Sequence, residues 1–293
     1  MGAGGVAHYT IGQSRRSDAG AHDPVGGGRA ADISGTDEQQ LDQARVPFRE
    51  CAEISEGLKV QEGNIVILTG AGISKESGLD TFRDADGIWS QVKLEDVATP
   101  EAFHRDPALV HRFYNARRET LRSGTIKPNA AHHALARLER DWKGEVTLVT
   151  QNVDDLHQRA GSRNLIPMHG ELMKARCPTC NLVLDWPGPL SIASQCPSCH
   201  FEGLRPHVVW FGEVPFEMRR IHAKLEQADL FVSIGTSGNV YPAAGLIAYA
   251  HKQGVKRCVE LNLEPSEGSH LFDERIYGRA TDVVPAWVEK LLS

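Results

Sequence analysis

The longest apolar stretches, such as Ile65 to Leu68, are only strand-sized. They fall far short of the roughly 20 residues that a bilayer-spanning helix needs, so no membrane partner is expected. Positive charge is not in surplus either. A formal net charge of −6 over 293 residues counts against a protein that mainly grips phosphate backbones, and makes nucleic acid a poor partner. Cysteine is scarce: six residues are too few for a disulfide scaffold at this length. Four of them stand in two close pairs, which in a reducing compartment reads as metal binding, so a cytoplasmic setting is expected. No internal repeat is visible. Targeting signals are missing too. No apolar run follows Arg15-Arg16, Asp18 and Asp23 argue against an organelle transit peptide, and Val6 stands where a myristoylation signal wants Ser or Thr.

What is present is ordinary globular material, 41% hydrophobic and 24% charged, enough for a sizeable core. Residues 1–36 are rich in Gly, Ala, Ser and Asp without an apolar period, and read as a flexible tail. A helix is expected around Glu38 to Leu58. Strands are expected at Ile65 to Leu68, Val146 to Thr150, Leu230 to Ile234 and Cys258 to Leu263. Helices alternate with them at Pro107 to Arg122, Asn129 to Arg140, Phe216 to Gln227, Pro242 to Gln253 and Ala286 to Leu292. This alternation predicts an α/β fold, a parallel sheet with helices on both faces, which binds ligands at the carboxyl ends of its strands. Gly70, Gln151, Gly235 and Asn262 stand at such ends. Between Gly170 and Arg205 the pattern breaks into a Cys- and Pro-containing segment, read as a small inserted module.

Within that module, Cys177 and Cys180, fifteen intervening residues, and Cys196 and Cys199 give the spacing of a zinc ribbon. Four thiolates fill a tetrahedral shell and leave no position for water, so one structural zinc is expected. Cys51 and Cys258 are assigned to packing.

The strand entering Gly70-Ala71-Gly72-Ile73-Ser74 places two glycines where backbone turns sharply and approaches a phosphate. Lys75 stands where the third glycine of G-x-G-x-x-G belongs, and a plain tight turn is the alternative. A second polar cluster, Thr150-Gln151-Asn152-Val153-Asp154-Asp155-Leu156-His157, directly follows a strand. It reads either as a ligand site or as ordinary turn formers.

Taken together with Thr81-Phe82-Arg83, His169-Gly170, Val208 to Glu213 and Gly235-Thr236-Ser237, these motifs resemble the sirtuin family in order and spacing, from about residue 60 to the end. The resemblance implies a Rossmann-type NAD domain (about 37–170 and 206–293), a smaller zinc module (about 171–205), and acyl-lysine proteins as substrates. It implies that Gly70, Ala71, Gly72, Ile73 and Arg83 face the phosphates, and that Phe82, Asn152 and Asp154 line the nicotinamide pocket. Gln151 would face the reacting ribose, and Thr236 and Ser237 would lie near phosphate and adenosine. Asn262 and Glu264 would lie on the adenine side, with Trp89, Leu263 and Ala280 also at the cofactor. His169 is the implied base: after the amide oxygen displaces nicotinamide to give an imidate, it deprotonates a ribose hydroxyl. Free lysine and O-acyl-ADP-ribose result. Histidine suits this because its pKa lies near neutrality.

The resemblance also makes Val208 to Glu213, including Phe211, Gly212 and Glu213, a strand-like segment that pairs with the substrate peptide beside a loop matching Gly238 to Tyr241. On the helix from Pro107, residues Val110, Phe113, Tyr114, Arg117 and Leu121 share one face. Arg112, Arg118 and Arg122 are expected to be solvated. Tyr114 and Arg117, with a small residue at Ala98, resemble the desuccinylase and demalonylase branch, in which such a pair reads the carboxylate of the acyl group. Lys75 and Asp80 depart from the family's first motif. His132, His133 and His207 are expected to be structural. Two other readings remain open: mono-ADP-ribosyl transfer from the same NAD pocket, and a zinc-ribbon binding module.

Overall fold

The computed structural model describes residues 62–79 and 93–293. The expected tail, the Glu38 to Leu58 helix, and Asp80, Phe82, Arg83 and Trp89 lie outside the described residues.

The strands are β1 Ile65–Thr69, β2 Val146–Thr150, β3 Leu165–Pro167, β4 Gly170–Arg176, β5 Val183–Asp185, β6 Arg205–Val208, β7 Leu230–Ile234, β8 Arg257–Asn262 and β9 Glu274–Tyr277. The α-helices are α1 Leu94–Val97, α2 Pro100–Arg105, α3 Pro107–Arg122, α4 Ala130–Asp141, α5 Leu156–Ala160, α6 Met218–Leu225, α7 Leu246–Lys252 and α8 Ala280–Leu292. Six strands form one sheet in the order β3-β2-β1-β7-β8-β9, every pair parallel. A second sheet, β5-β4-β6, is antiparallel.

Alternation within each apolar strand builds two cores at once. Ile65, Ile67, Val146, Leu148, Leu230, Val232 and Ile234 face one side, where they meet Leu135 and Leu138 of α4 and Trp287 and Val288 of α8. Val66, Leu68, Val149, Phe231 and Cys258 face the other, against Ile221 and Leu225 of α6 and Leu246 and Ala250 of α7. Cys258 is thus a packing residue, fully buried. A third cluster unites Ala98, Val110, Phe113, Tyr114 and Leu121 with Leu172, Val208 and Trp210. It joins α3 to the antiparallel sheet.

Strand order reverses at β1. The chain moves outward through β2 and β3, then returns to the other side of β1 with β7, so a crevice opens at the carboxyl ends of β1 and β7.

Three expectations need correction. The segment Val208 to Glu213 is not a strand: β6 ends at Val208, and the following turn has Gly212 at φ +90°. The Glu213 carboxylate accepts from Trp210 N at 2.8 Å, which closes that turn. Arg118 is not solvated but fully buried, because at eight residues beyond Val110 it borders the apolar stripe of α3. Helix α8 begins at Ala280 rather than Ala286 and contains Pro285. That proline removes only one hydrogen bond, while Val284 extends the buried face shared with Trp287.

Candidate functional site

At the crevice, the glycines of the first loop are required by a neighbouring loop. A Cβ on Gly70 would lie 2.8 Å from Gly235 O, and one on Gly72 would lie 2.7 Å from Gly235 Cα. Gly235 itself has φ +62°. Gly72 N donates to Gly235 O at 2.9 Å, so the turns after β1 and β7 lock backbone to backbone. Ile73 turns its side chain into the core, fully buried. Asn129, the cap of α4, donates from Nδ2 to Ile73 O at 2.8 Å and holds the loop from behind.

Behind the loop lies a polar network that the sequence alone did not reveal. Asn152 Nδ2 donates to Gly70 O and to Ser74 Oγ, each at 3.1 Å, and Ser74 Oγ donates to Asp154 Oδ2 at 3.1 Å. Burial pushes the Asp154 carboxyl up to about 6, despite hydrogen bonds from Leu156 N and Ser74 that favour its charged form. Thr69 Oγ1 donates to Thr150 Oγ1 at 2.9 Å and meets His157 Nε2 at 3.0 Å. His132 and His157 lie 4.8 Å apart, ring to ring. Burial drives both well down, to about 4 and about 3, so they are neutral packing residues. Ser74 and His157 stood in the sequence only as members of their motifs, because a Ser or His shows its partners only when the strands bring it to them.

His169 occupies the short link between β3 and β4, where the two sheets meet. Met168 N bonds Thr150 O at 3.0 Å, and Val209 N bonds His169 O at 2.9 Å. The ring's Nδ1 stands 3.1 Å from Gln151 O. A carbonyl can only accept, so Nδ1 carries the hydrogen and Nε2 keeps the lone pair. Burial lowers the ring's pKa, partly opposed by the Gln151 carbonyl. Gln151 N in turn bonds Thr69 O at 2.9 Å. Gly170 follows because a Cβ there would lie 2.1 Å from His207 O.

Elsewhere around the crevice, Asn262 Nδ2 donates to Thr236 O at 2.7 Å, and Ser233 and Thr236 share a hydroxyl contact at 2.8 Å. Leu263 and Glu264 are exposed, and Ala280 opens α8 against the core.

On the α3 side, Tyr114 and Ala98 are buried in the third cluster. Trp210 Nε1 donates to Tyr114 Oη at 3.0 Å. An indole N–H is donor only, so the tyrosine hydroxyl accepts there and keeps its own proton to donate. Burial raises that hydroxyl to about 12, so it stays protonated. The Arg117 guanidinium lies 5.1 Å from the Phe113 ring centre. Phe211 N donates to Ala98 O at 2.9 Å, and the Phe211 side chain is exposed. Glu213 binds Arg205 through both oxygens, at 2.7 and 2.9 Å, and Arg205 stacks 3.4 Å over Trp210. Glu213 thereby braces the turn.

The four expected metal ligands converge. The Sγ atoms of Cys177, Cys180, Cys196 and Cys199 all lie within 4.8 Å of one another. Cys177 to Cys199 is 3.5 Å and Cys180 to Cys196 is 3.6 Å. Tetrahedral thiolates at ~2.3 Å from zinc stand about 3.8 Å apart, so the cluster suits one structural zinc.

Against known proteins, the family described as "Sir2 family" matches residues 70–242. An "NAD-dependent protein deacylase" of Caulobacter vibrioides is 56% identical over 233 residues, covering 78% of this chain and 97% of that protein. A solved "Sir2 homolog-NAD complex" is 40% identical with a TM-score of 0.71, covering 78% of this chain and 91% of the other. A Sir2 structure bound to a myristoylated histone peptide is 31% identical with a TM-score of 0.59, over 78% and 90% of the two chains.

Proposed function

The chain belongs to the Sir2 family, and we propose that it is an NAD-dependent protein-lysine deacylase that favours acidic acyl groups. The single observation that carries the reading is His169, held by Gln151 O at Nδ1 so that Nε2 is the base, at the seam of the two sheets. The cofactor fits the crevice. Locked glycine turns let a phosphate approach backbone, and the buried Asn152–Ser74–Asp154 network offers a carboxamide both donor and acceptor groups.

When bound, NAD would supply the ribose carbon that the acyl amide oxygen attacks as nicotinamide leaves, and the ribose hydroxyl that then takes the acyl group. His169 takes the ribose hydroxyl proton at Nε2, and its lowered pKa keeps that atom unprotonated near neutrality. Asn152 and Asp154 hold the nicotinamide end, Gly70 to Ile73 the phosphates through main chain, and Ser237, Asn262 and Glu264 the adenosine end. The turn after β6, with exposed Phe211 and Gly212, and residues 238–241 flank the acyl-lysine peptide. Tyr114, with its hydroxyl proton available, and Arg117 bind the acyl carboxylate, with Ala98 leaving room for it.

Residues about 37–170 and 206–293 are assigned to the NAD-binding body and about 171–205 to the zinc module. No described helix is long and apolar enough to cross a membrane. Four metal-bound thiolates favour a reducing compartment, and we assign the enzyme to the cytoplasm.

The test is turnover of acetyl, malonyl and succinyl forms of one peptide with and without NAD, followed by mass spectrometry. Release of O-acyl-ADP-ribose with loss of activity in His169→Ala is expected. ADP-ribose left covalently on the protein acceptor would overturn the reading in favour of mono-ADP-ribosyl transfer.

A further inference from the structure

Helix α3 carries a second row of side chains that the acyl pocket does not use. His111, Asn115, Arg118 and Arg122 recur at spacings of four, three and four residues, beside the stripe that holds Tyr114 and Arg117. Every member of this row binds main chain in the segment that runs from β4 through the cysteines to β6. His111 Nε2 lies 2.9 Å from Leu204 O. Asn115 makes a reciprocal pair with Leu190, donating from Nδ2 to its carbonyl and accepting its N–H at Oδ1, both at 2.8 Å. Arg118 donates to the carbonyls of Leu172 and Trp186 and, at 3.0 Å, to that of Gly188. Arg122 donates to Pro187 O.

Two of these partners, Leu190 and Leu204, belong to the cysteine core, and Trp186 packs against it. Leu190 and Leu204 are buried together with Ala175, Cys177 and Cys196. A grip on main chain depends only on where that backbone runs. In a module this small the course of the backbone is set by the metal that joins its two cysteine turns. Arg118 shows how firm the grip is: fully buried, with burial lowering its pKa to about 10, its guanidinium is held by carbonyl dipoles. Such a charge stays buried only where it is hydrogen-bonded, and here Nη1 and Nη2 make three bonds to carbonyls.

We propose that Asn115 and Arg118 are positioning residues through which the zinc module sets the place of Tyr114 and Arg117, and so the enzyme's selectivity for acidic acyl groups. The inference rests on the reading of Tyr114 and Arg117 as carboxylate-binding residues. Selectivity is the property at stake because charge-assisted hydrogen bonds weaken steeply with misalignment. An acetyl group has no carboxylate for either residue. His169 and the glycine turns are held by β1, β2, β7 and β8 and, at His169 O, by Val209 N, whereas the α3 row bonds Leu172, Trp186 to Gly188, Leu190 and Leu204.

The test compares the wild type with Asn115→Ala and Arg118→Met, measuring kcat and KM for succinyl and acetyl forms of one peptide. Bound zinc and hydrogen exchange of the amides in 107–122 are measured on the same samples. A wild-type preference for succinyl is expected. Each variant should lower the succinyl-to-acetyl ratio of kcat/KM about tenfold, the equivalent of one charge-assisted hydrogen bond, through a higher succinyl KM. Zinc content should stay at the wild-type level while the α3 amides exchange faster. Arg118→Met removes three donated bonds from the interior, so Asn115→Ala, a milder change, carries the test if that variant does not fold. A zinc-loaded Asn115→Ala enzyme with the wild-type ratio, or with both acyl activities reduced in step, overturns the inference. A wild type that does not distinguish the two peptides removes the carboxylate reading itself, and the inference with it.

Discussion

Two opposing influences act on the His169 ring: burial, which disfavours the imidazolium, and the Gln151 carbonyl, which favours it. Burial is the larger, so the pKa lies below the ordinary 6.5 and the ring is a neutral base through the neutral range. The acid limb of kcat/KM against pH should therefore fall below pH 6.5, and a limb centred above it would contradict the assigned base. Arg117→Met should cut desuccinylation about ten- to a hundredfold, the range for losing one hydrogen bond to a charged group, and leave deacetylation nearly unchanged. Parallel kinetics on the two peptides check this, and equal losses would remove the pocket assignment. How far such residues are legible in the sequence varies with what defines them. The cysteines announce themselves because metal geometry fixes their spacing. Tyr114 and Arg117 follow from helical periodicity. Arg118 does not, since an arginine at the border of an apolar stripe looks the same whether it faces water or a row of carbonyls. Ser74 and Trp210 take their meaning from partners 80 and 96 residues away, Asp154 and Tyr114.

At the scale of elements, β2 and β7 were legible to the residue, because a strand buried on both faces is an unbroken apolar run. The segment after β6 was not. Val-Val-Trp-Phe is apolar enough for a strand, but the Glu213 carboxylate on Trp210 N and Gly212 at positive φ turn it into a loop. The glycine turns were legible as turns, and the structure adds a packing reason for them: Gly70 and Gly72 make room for Gly235. Gly72→Ala sets a Cβ 2.7 Å from backbone that cannot swing aside. Overpacking of this kind costs on the order of 1–3 kcal/mol, and here the strain falls on the cofactor loop itself. The KM for NAD should rise at least about tenfold and Tm should fall, while Gly188→Ala, which meets nothing within 4 Å, changes neither. Unaltered NAD kinetics in Gly72→Ala would show that the two turns do not set the cofactor site.

For the whole molecule, the parallel sheet encloses polar groups whose titration governs how the fold responds to acid. His132 and His157 titrate near 4 and 3 in the folded protein, because both are buried as neutral rings, but near 6.5 once unfolded. Their contribution is fully present above pH 6.5 and is lost as pH falls from there through their folded values. Asp154 opposes them. Raised to about 6 from an ordinary 3.8, it takes up its proton in the folded state first, and so favours folding as pH falls across that interval. Between pH 6 and 4 the unfolded chain thus holds about two protons on these imidazoles while the folded chain holds about one on the carboxyl. The balance of one proton makes stability fall by about 1.4 kcal/mol per pH unit on acidification. Burial also lowers His207, to about 4, which adds to the slope in the same sense. Urea denaturation midpoints should therefore drop steadily from pH 6.5 to about 4.5, and His132→Gln, which removes one titrating ring, should flatten the decline. A midpoint that holds level or rises over this range would mean that Asp154 outweighs the histidines, and that the network behind the glycine loop is bound together by a carboxylic acid rather than by neutral rings.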